Sequence, residues 1–99
     1  MIRQMTEKDL DVIVRIEETC FTDPWSKQGF ADSLHEASAH LLVIEDESGE
    51  IAGYACLYQV VDEGEIVNVA IDPKYRQKGY GAKLVSALMK LGKDLGAER

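Results

Sequence analysis

Two cysteines, two prolines and one tryptophan are all that the 99 residues supply of those types, and 11 basic side chains face 18 acidic ones. Each scarcity excludes something. Cys20 and Cys56 stand far apart with no further cysteine at ligand spacing, so a disulfide framework and a zinc site are not expected. The two thiols read as small hydrophobes of a reducing compartment. His35 and His40 have no ligand cluster around them, and no metal is assigned. The net charge of −7 argues against broad nucleic-acid binding, because phosphate repels an acidic surface, and favours a cationic partner. No apolar run approaches a bilayer span and "MIRQMTEKDL" is no secretory signal, so no membrane association and a cytoplasmic residence are expected.

What is present is enough for one small domain, with hydrophobic residues at 45% and charged residues at 29%. "IRQM" reads as a short first strand, and Thr6 with Asp9 as a capping box in which Asp replaces the usual Glu. Leu10, Ile13, Ile16 and Cys20 recur at helical spacing, predicting a helix from about Glu7 to about Cys20. "FTDPWS" ends it at Pro24, and Ser26 caps a second helix with Phe30 and Leu34 on one face. From His40 the pattern changes to "HLLVIED", "EIAGYACLYQVV" and "EIVNVAID", β-rich runs separated by "ESG" and "DEG" turns, which predict an antiparallel meander. Asp72-Pro73 closes the third run. Leu84, Leu88, Leu91 and Leu95 then mark the buried stripe of a last helix, with Gly96 placed to end it. The fold class is α+β, in the order β-α-α-β-β-β-α, an antiparallel sheet flanked by helices.

The segment "DPKYRQKGYGAKLV" joins the meander to the last helix. The first N–H groups of a helix have no partners within it, and its dipole places roughly half a positive charge at that end. Gly79 and Gly81 remove side chains that would hold an anion off, while Arg76, Lys78 and Lys83 raise the local potential. A pyrophosphate suits the place. A Walker loop would need Gly-Lys-Ser/Thr after four intervening residues, and the dinucleotide fingerprint a third glycine where Leu84 stands, so neither fits. On the two glycines alone, a tight strand-to-helix connection is the simpler account.

The larger pattern carries a resemblance. "RQKGYG" fits the Arg/Gln-x-x-Gly-x-Gly/Ala acetyl-CoA signature of the GCN5-related N-acetyltransferase superfamily, and "NVAIDPKYRQKGYGAKLV" resembles its central motif. "FTDPWS" and "VVDEGEIVNVAIDP" resemble the bacterial ribosomal-protein alanine N-acetyltransferases within it. The resemblance implies that the main chain of Val69, Ala70 and Ile71 pairs with the pantetheine arm of acetyl-CoA. It implies likewise that Arg76 opens the signature and that the amides of Gln77, Lys78, Gly79, Tyr80, Gly81 and Ala82 cradle the pyrophosphate, with Tyr80 otherwise a packing residue. The reaction implied is acetyl transfer to a protein or peptide N-terminal amine.

Glu65, opening the third meander strand, is the candidate general base, against the alternatives of a solvated residue beside a turn or a contact for a cationic substrate. In the family, the segment holding Phe21 and Trp25 borders the acceptor. Phe21 is read as a core anchor, and Trp25 as either an anchor or a pocket wall. Tyr54, Tyr58 and Tyr75 do not take the place of the family's acid. The resemblance further implies that residues 1–99 are a partial N-acetyltransferase domain. The later strand, helix and hairpin, with further catalytic groups, are then expected beyond Arg99. A homodimer across the open edge near Asn68 is expected in consequence. Alternatives are an acetyl-CoA-binding or dimerising fragment without turnover, and an acetyltransferase acting on lysine or a small amine.

Overall fold

A computed structural model describes the backbone of residues 1–36, 39–60 and 63–94, and the side chains of these outside 59–67 and 92–94. Four strands, β1 (Ile2–Gln4), β2 (Ala39–Glu45), β3 (Ile51–Val60) and β4 (Glu63–Ile71), lie in that order in one sheet, every neighbour antiparallel. Three helices, α1 (Leu10–Cys20), α2 (Lys27–Leu34) and α3 (Tyr80–Asp94), complete the expected α+β order. No described helix is long and apolar enough to cross a membrane.

The side-chain alternation of the strands decides the layers. Leu41, Val43, Tyr54, Cys56 and Ala70 face α1 and α2, packing on Leu10, Ile13, Ile16 and Phe30. Leu42, Ile44, Ala55 and Leu57 face the other way, against Leu84 and Leu88 of α3. Leu84 and Leu88 are both fully buried. Leu91 is only half-buried, and Leu95 and Gly96 lie outside the described residues.

Two extra residues break the ladder. Ile44 pairs with Gly53 but Glu45 with Ile51, so Ala52 is unpaired, and the resulting twist turns it to the α3 side. Cys56 pairs with Asn68 but Leu57 with Ile66, which leaves Val67 as the extra residue of β4. Glu63 and Gly64 of the expected "DEG" turn already belong to β4, opposite Val60 and Gln59, while Asp62 lies outside the described residues.

The predicted helix from Glu7 begins as a 3-10 turn, Glu7–Asp9, before α1 proper. Asp9 is why. Its carboxylate accepts the Thr6 N–H at 2.8 Å and the Thr6 hydroxyl at 3.2 Å, and it takes a two-pronged bond from Arg3 at 2.8 and 2.9 Å. The short Asp side chain draws the first turn tight and pins it to β1. Ser26 caps α2 as expected, its hydroxyl accepting the Gly29 N–H at 3.0 Å.

Candidate functional site

β4 hands over to α3 through a connection whose every bend has a local cause. Asp72 accepts the Lys74 N–H at 3.2 Å, and Pro73 supplies the preset φ of a second 3-10 turn, Pro73–Tyr75. The chain then passes through the left-handed region twice, at Gln77 (φ +67°) and Gly79 (φ +81°). That conformation is free for glycine and costs about 1–2 kcal/mol for glutamine. Gly79 O accepts the Lys83 N–H at 3.1 Å, so the helix ladder starts there. Consequently the N–H groups of Tyr80, Gly81 and Ala82, the first turn of α3, have no acceptor within the helix. The space around them is open. A Cβ on Gly79 would meet nothing within 4 Å, and one on Gly81 would meet only Ile71 Cγ1, at 3.7 Å. Gly79 is thus demanded by its φ, whereas Gly81 leaves room beside the amides.

Two tyrosines brace the connection. Tyr75 and Tyr80 meet with ring centroids 5.9 Å apart, and the Tyr75 hydroxyl donates to Asp46 at 2.5 Å and Glu50 at 3.2 Å. Asp46 also organises the β2–β3 turn by accepting the N–H groups of Ser48 and Glu50. The tyrosine bond, first among its partners, holds the Asp46 carboxyl well below the usual carboxylate range and lifts the Tyr75 hydroxyl above its own. Lys74 and Lys78 lie over the Tyr75 ring, and Lys83 over Tyr80, at 5.3–5.9 Å from the ring centroids. Arg76 turns the other way. Its Nε donates to Ile71 O at 3.3 Å and its Nη2 lies 3.3 Å from Cys20 Sγ, tying the turn to the end of α1.

Val69, Ala70 and Ile71 form the end of β4, the terminal strand of the sheet among the described residues. Backbone groups on its outer side are therefore unpaired with any described strand. Ala70 is buried toward α1, while Val69 and Ile71 are half-buried toward α3. Gly53 lies opposite Ile71, and a Cβ there would come within 2.6 Å of Ala70 O. Glu65 stands in β4 opposite Tyr58; its side chain lies outside the described residues. The connection and the edge are thus adjacent, whereas Glu65 is six residues up the strand from Ile71.

Sequence inspection missed Glu17. It lies on the inward face of α1 between Ile13 and Cys20, and it is 2% exposed. Oε1 accepts from the Tyr54 hydroxyl and from Asn68 Nδ2 at 2.8 Å, and Oε2 accepts the Trp25 N–H at 2.9 Å. Burial, followed by the Glu17 bond, pushes the Tyr54 hydroxyl far above its ordinary value, and burial with the Glu17 charge pushes the Cys56 thiol up to about 12. The signal was a glutamate at helical spacing inside an apolar stripe.

Trp25 takes one of its two expected roles, whereas Phe21 departs from expectation. Trp25 is the core anchor, its ring 5.3 Å from Phe30, which in turn meets Tyr54 edge to face at 5.6 Å. Phe21 is the exposed one, at 38%. The proline turn swings Phe21 outward and lets the Trp25 N–H reach Glu17. Among the described residues no group of three or more His, Cys, Asp or Glu side chains could hold a metal.

Together, fold and junction define a class: an α+β domain whose terminal strand runs into a glycine turn and an anion-receptive helix start. The sequence profile of the Acetyltransferase (GNAT) family matches residues 10–99, and the chain belongs to that family. A Bacillus subtilis (strain 168) protein provisionally named [ribosomal protein bS18]-alanine N-acetyltransferase is 39% identical over 99% of this chain and 65% of its own length. The crystal structure of the ribosomal-protein-S18-alanine N-acetyltransferase from Escherichia coli superposes with a TM-score of 0.87 at 27% identity, covering 98% of this chain and 61% of that one. That of PaiA N-acetyltransferase from Thermoplasma acidophilum, in complex with coenzyme A, gives a TM-score of 0.85 at 15% identity, covering 98% and 74%, and attests the fold alone. The chain thus spans slightly less than two thirds of the Bacillus relative.

Proposed function

We propose that this chain is the acetyl-CoA-binding part of an N-acetyltransferase domain that acetylates the N-terminal amine of a protein, of the ribosomal-protein alanine kind. The observation that carries the cofactor half is the set of unpartnered amides at Tyr80, Gly81 and Ala82, placed where the open edge of β4 ends. A pyrophosphate accepts from such amides, and Gly79 and Gly81 leave it room. The main chain of Val69, Ala70 and Ile71 takes an extended pantetheine arm as an added strand, and Gln77 and Lys78 extend the cradle toward Arg76. Lys78 and Lys83 offset the phosphate charge. The names of the Bacillus and Escherichia relatives support the acceptor.

Acetyl-CoA supplies an activated acyl carbon, and the protein has to present a neutral amine to it. An N-terminal amine, with a reference pKa near 8, is neutral in about one molecule in ten at pH 7, against fewer than one in a thousand for lysine. Such an acceptor requires only modest help, for which Glu65 is the proposed base, directly or through water.

Titration calorimetry with acetyl-CoA tests the cofactor half. Gly81→Trp, which fills the open space beside the amides while α3 can still form, is expected to lower affinity at least about a hundredfold. Unchanged affinity would refute the cradle. Thiol release in the presence of an Ala-starting peptide tests the acceptor, with a lysine-bearing blocked peptide expected to be inert.

A further inference from the structure

Glu17 has a place in the fold that packing does not explain. A buried carboxylate is costly unless its oxygens are satisfied, and here three donors converge on it from separate segments. Trp25 belongs to the connection between α1 and α2, Tyr54 to the middle of β3, and Asn68 to β4. Asn68 is moreover the residue next to the unpaired Val67. At a bulge the ladder hydrogen bonds are locally lost, so the strand direction beyond it depends on whatever else holds the backbone. The Asn68 amide is held by Glu17.

We propose that Glu17 is a positioning residue that fixes the bulged segment of β4 relative to the residue 21–26 connection, and so sets the donor-binding edge against the acceptor side of the cleft. This rests on the reading of β4 as the strand that holds the acetyl donor. Through Oε1 the carboxylate pulls the Asn68 side chain toward α1, which orients the following Val69–Ile71 main chain. Through Oε2 it fixes Trp25, and with it the outward course of Phe21. Glu17 itself is 2% exposed, so its influence on either side of the cleft is exerted through these partners. Loss of its charge pattern would leave both segments folded but free to shift against one another.

Hydrogen-bond direction gives a test that separates positioning from bulk. In Glu17→Gln the side chain keeps its size, but an NH2 group must face at least one of three donors. Asn68→Asp alone sets two carboxylates against each other. Combined, the two changes restore the network reversed: the new amide donates to the new carboxylate, its carbonyl accepts the Trp25 N–H, and Tyr54, 3.5 Å from Asn68 Nδ2, donates to the carboxylate.

Amide hydrogen exchange, which needs no ligand, is the first measurement. Each single variant is expected to raise exchange at residues 68–71 about tenfold more than at Leu41–Val43, and the pair to bring it back within about threefold of the parent. Acetyl-CoA affinity, measured well below every melting temperature, should follow the same pattern. Uniform acceleration across the sheet, or single-variant costs that simply add in the pair, would overturn the proposal. If exchange behaves as expected but the parent chain does not bind acetyl-CoA, the positioning of β4 stands and the donor-strand reading falls. Should Glu17→Gln not fold, Asn68→Ala carries the exchange test at a half-buried position, with local acceleration at 69–71 expected and its absence decisive against the proposal.

Discussion

Adding one methyl group at Gly53 should damage the proposed donor-binding edge of β4 from behind. Gly53 sits opposite Ile71 in the β3–β4 ladder, and an ideal Cβ there falls 2.4 Å from Ile71 Cδ1, 2.6 Å from Ala70 O and 3.2 Å from Ile71 Cα. The first contact is the end of a flexible side chain and can be relieved by rotation. The second is backbone. Ordinary carbon–oxygen contacts lie at about 3.3–3.6 Å, so the strands must part by roughly 0.7 Å at this point or give up local hydrogen bonds. Forced overpacking of this kind costs about 1–3 kcal/mol, and each weakened ladder bond adds about 1 kcal/mol. Against this, replacing glycine by alanine in a strand recovers about 0.5–1 kcal/mol of chain entropy. The net expectation for Gly53→Ala is destabilisation by about 2 kcal/mol. With a urea m-value of about 1–2 kcal/mol/M, the unfolding midpoint should fall by about 1–2 M. Because the displaced atoms belong to Ala70 and Ile71, acetyl-CoA affinity should drop in the same variant even where it is fully folded. An unchanged or higher midpoint would refute the close approach on which this rests.

Acid stability should depend on Asp9. The paired Arg3 guanidinium is the main reason that its folded carboxyl lies below the ordinary carboxylate value. A depressed folded pKa stabilises the protein above the unfolded value near 4, and the contribution disappears as pH falls from there through the folded value. Asp9→Asn should therefore flatten the acid limb of urea midpoints measured from pH 6 to 2, and a limb of unchanged slope would count against the pairing. The two thiols should differ in reactivity. Cys56 is 1% exposed with its thiol pushed up to about 12, whereas Cys20 is half-buried, so a thiol reagent at pH 8 should label Cys20 alone until denaturant is added. Rapid labelling of both in the native protein would contradict that assignment.

Much of the layout could be read along the chain because it follows from neighbours within a few positions. Leu84 and Leu88 announced the inward face of α3, and Ser26 its capping role, by spacing and residue type alone. The β-rich runs from His40 to Asp72 gave the meander, because short polar turns leave antiparallel pairing as the simplest return. The glycine connection was legible for the same reason, since the two glycines, the lysines beside them and the helix they open are neighbours in the chain, whereas the left-handed φ values at Gln77 and Gly79 were seen only in the structure. The 3-10 start before α1 was not, because it depends on Arg3 drawing Asp9 toward β1.

Sequence by itself determined the strands and α-helices, their order and the family signature between Val69 and Ala82, since each depends on periodicity, turn chemistry or a short motif. Tertiary structure alone decided what the buried polar groups do. Glu17 meets a hydroxyl from β3, an amide from β4 and a main-chain N–H from the helix connection, and Tyr75 reaches Asp46 in a hairpin far back along the chain. Such partners are chosen by where whole strands and helices come to rest. A carboxylate among apolar residues shows only that some donor must reach it, and the folded sheet supplies which ones.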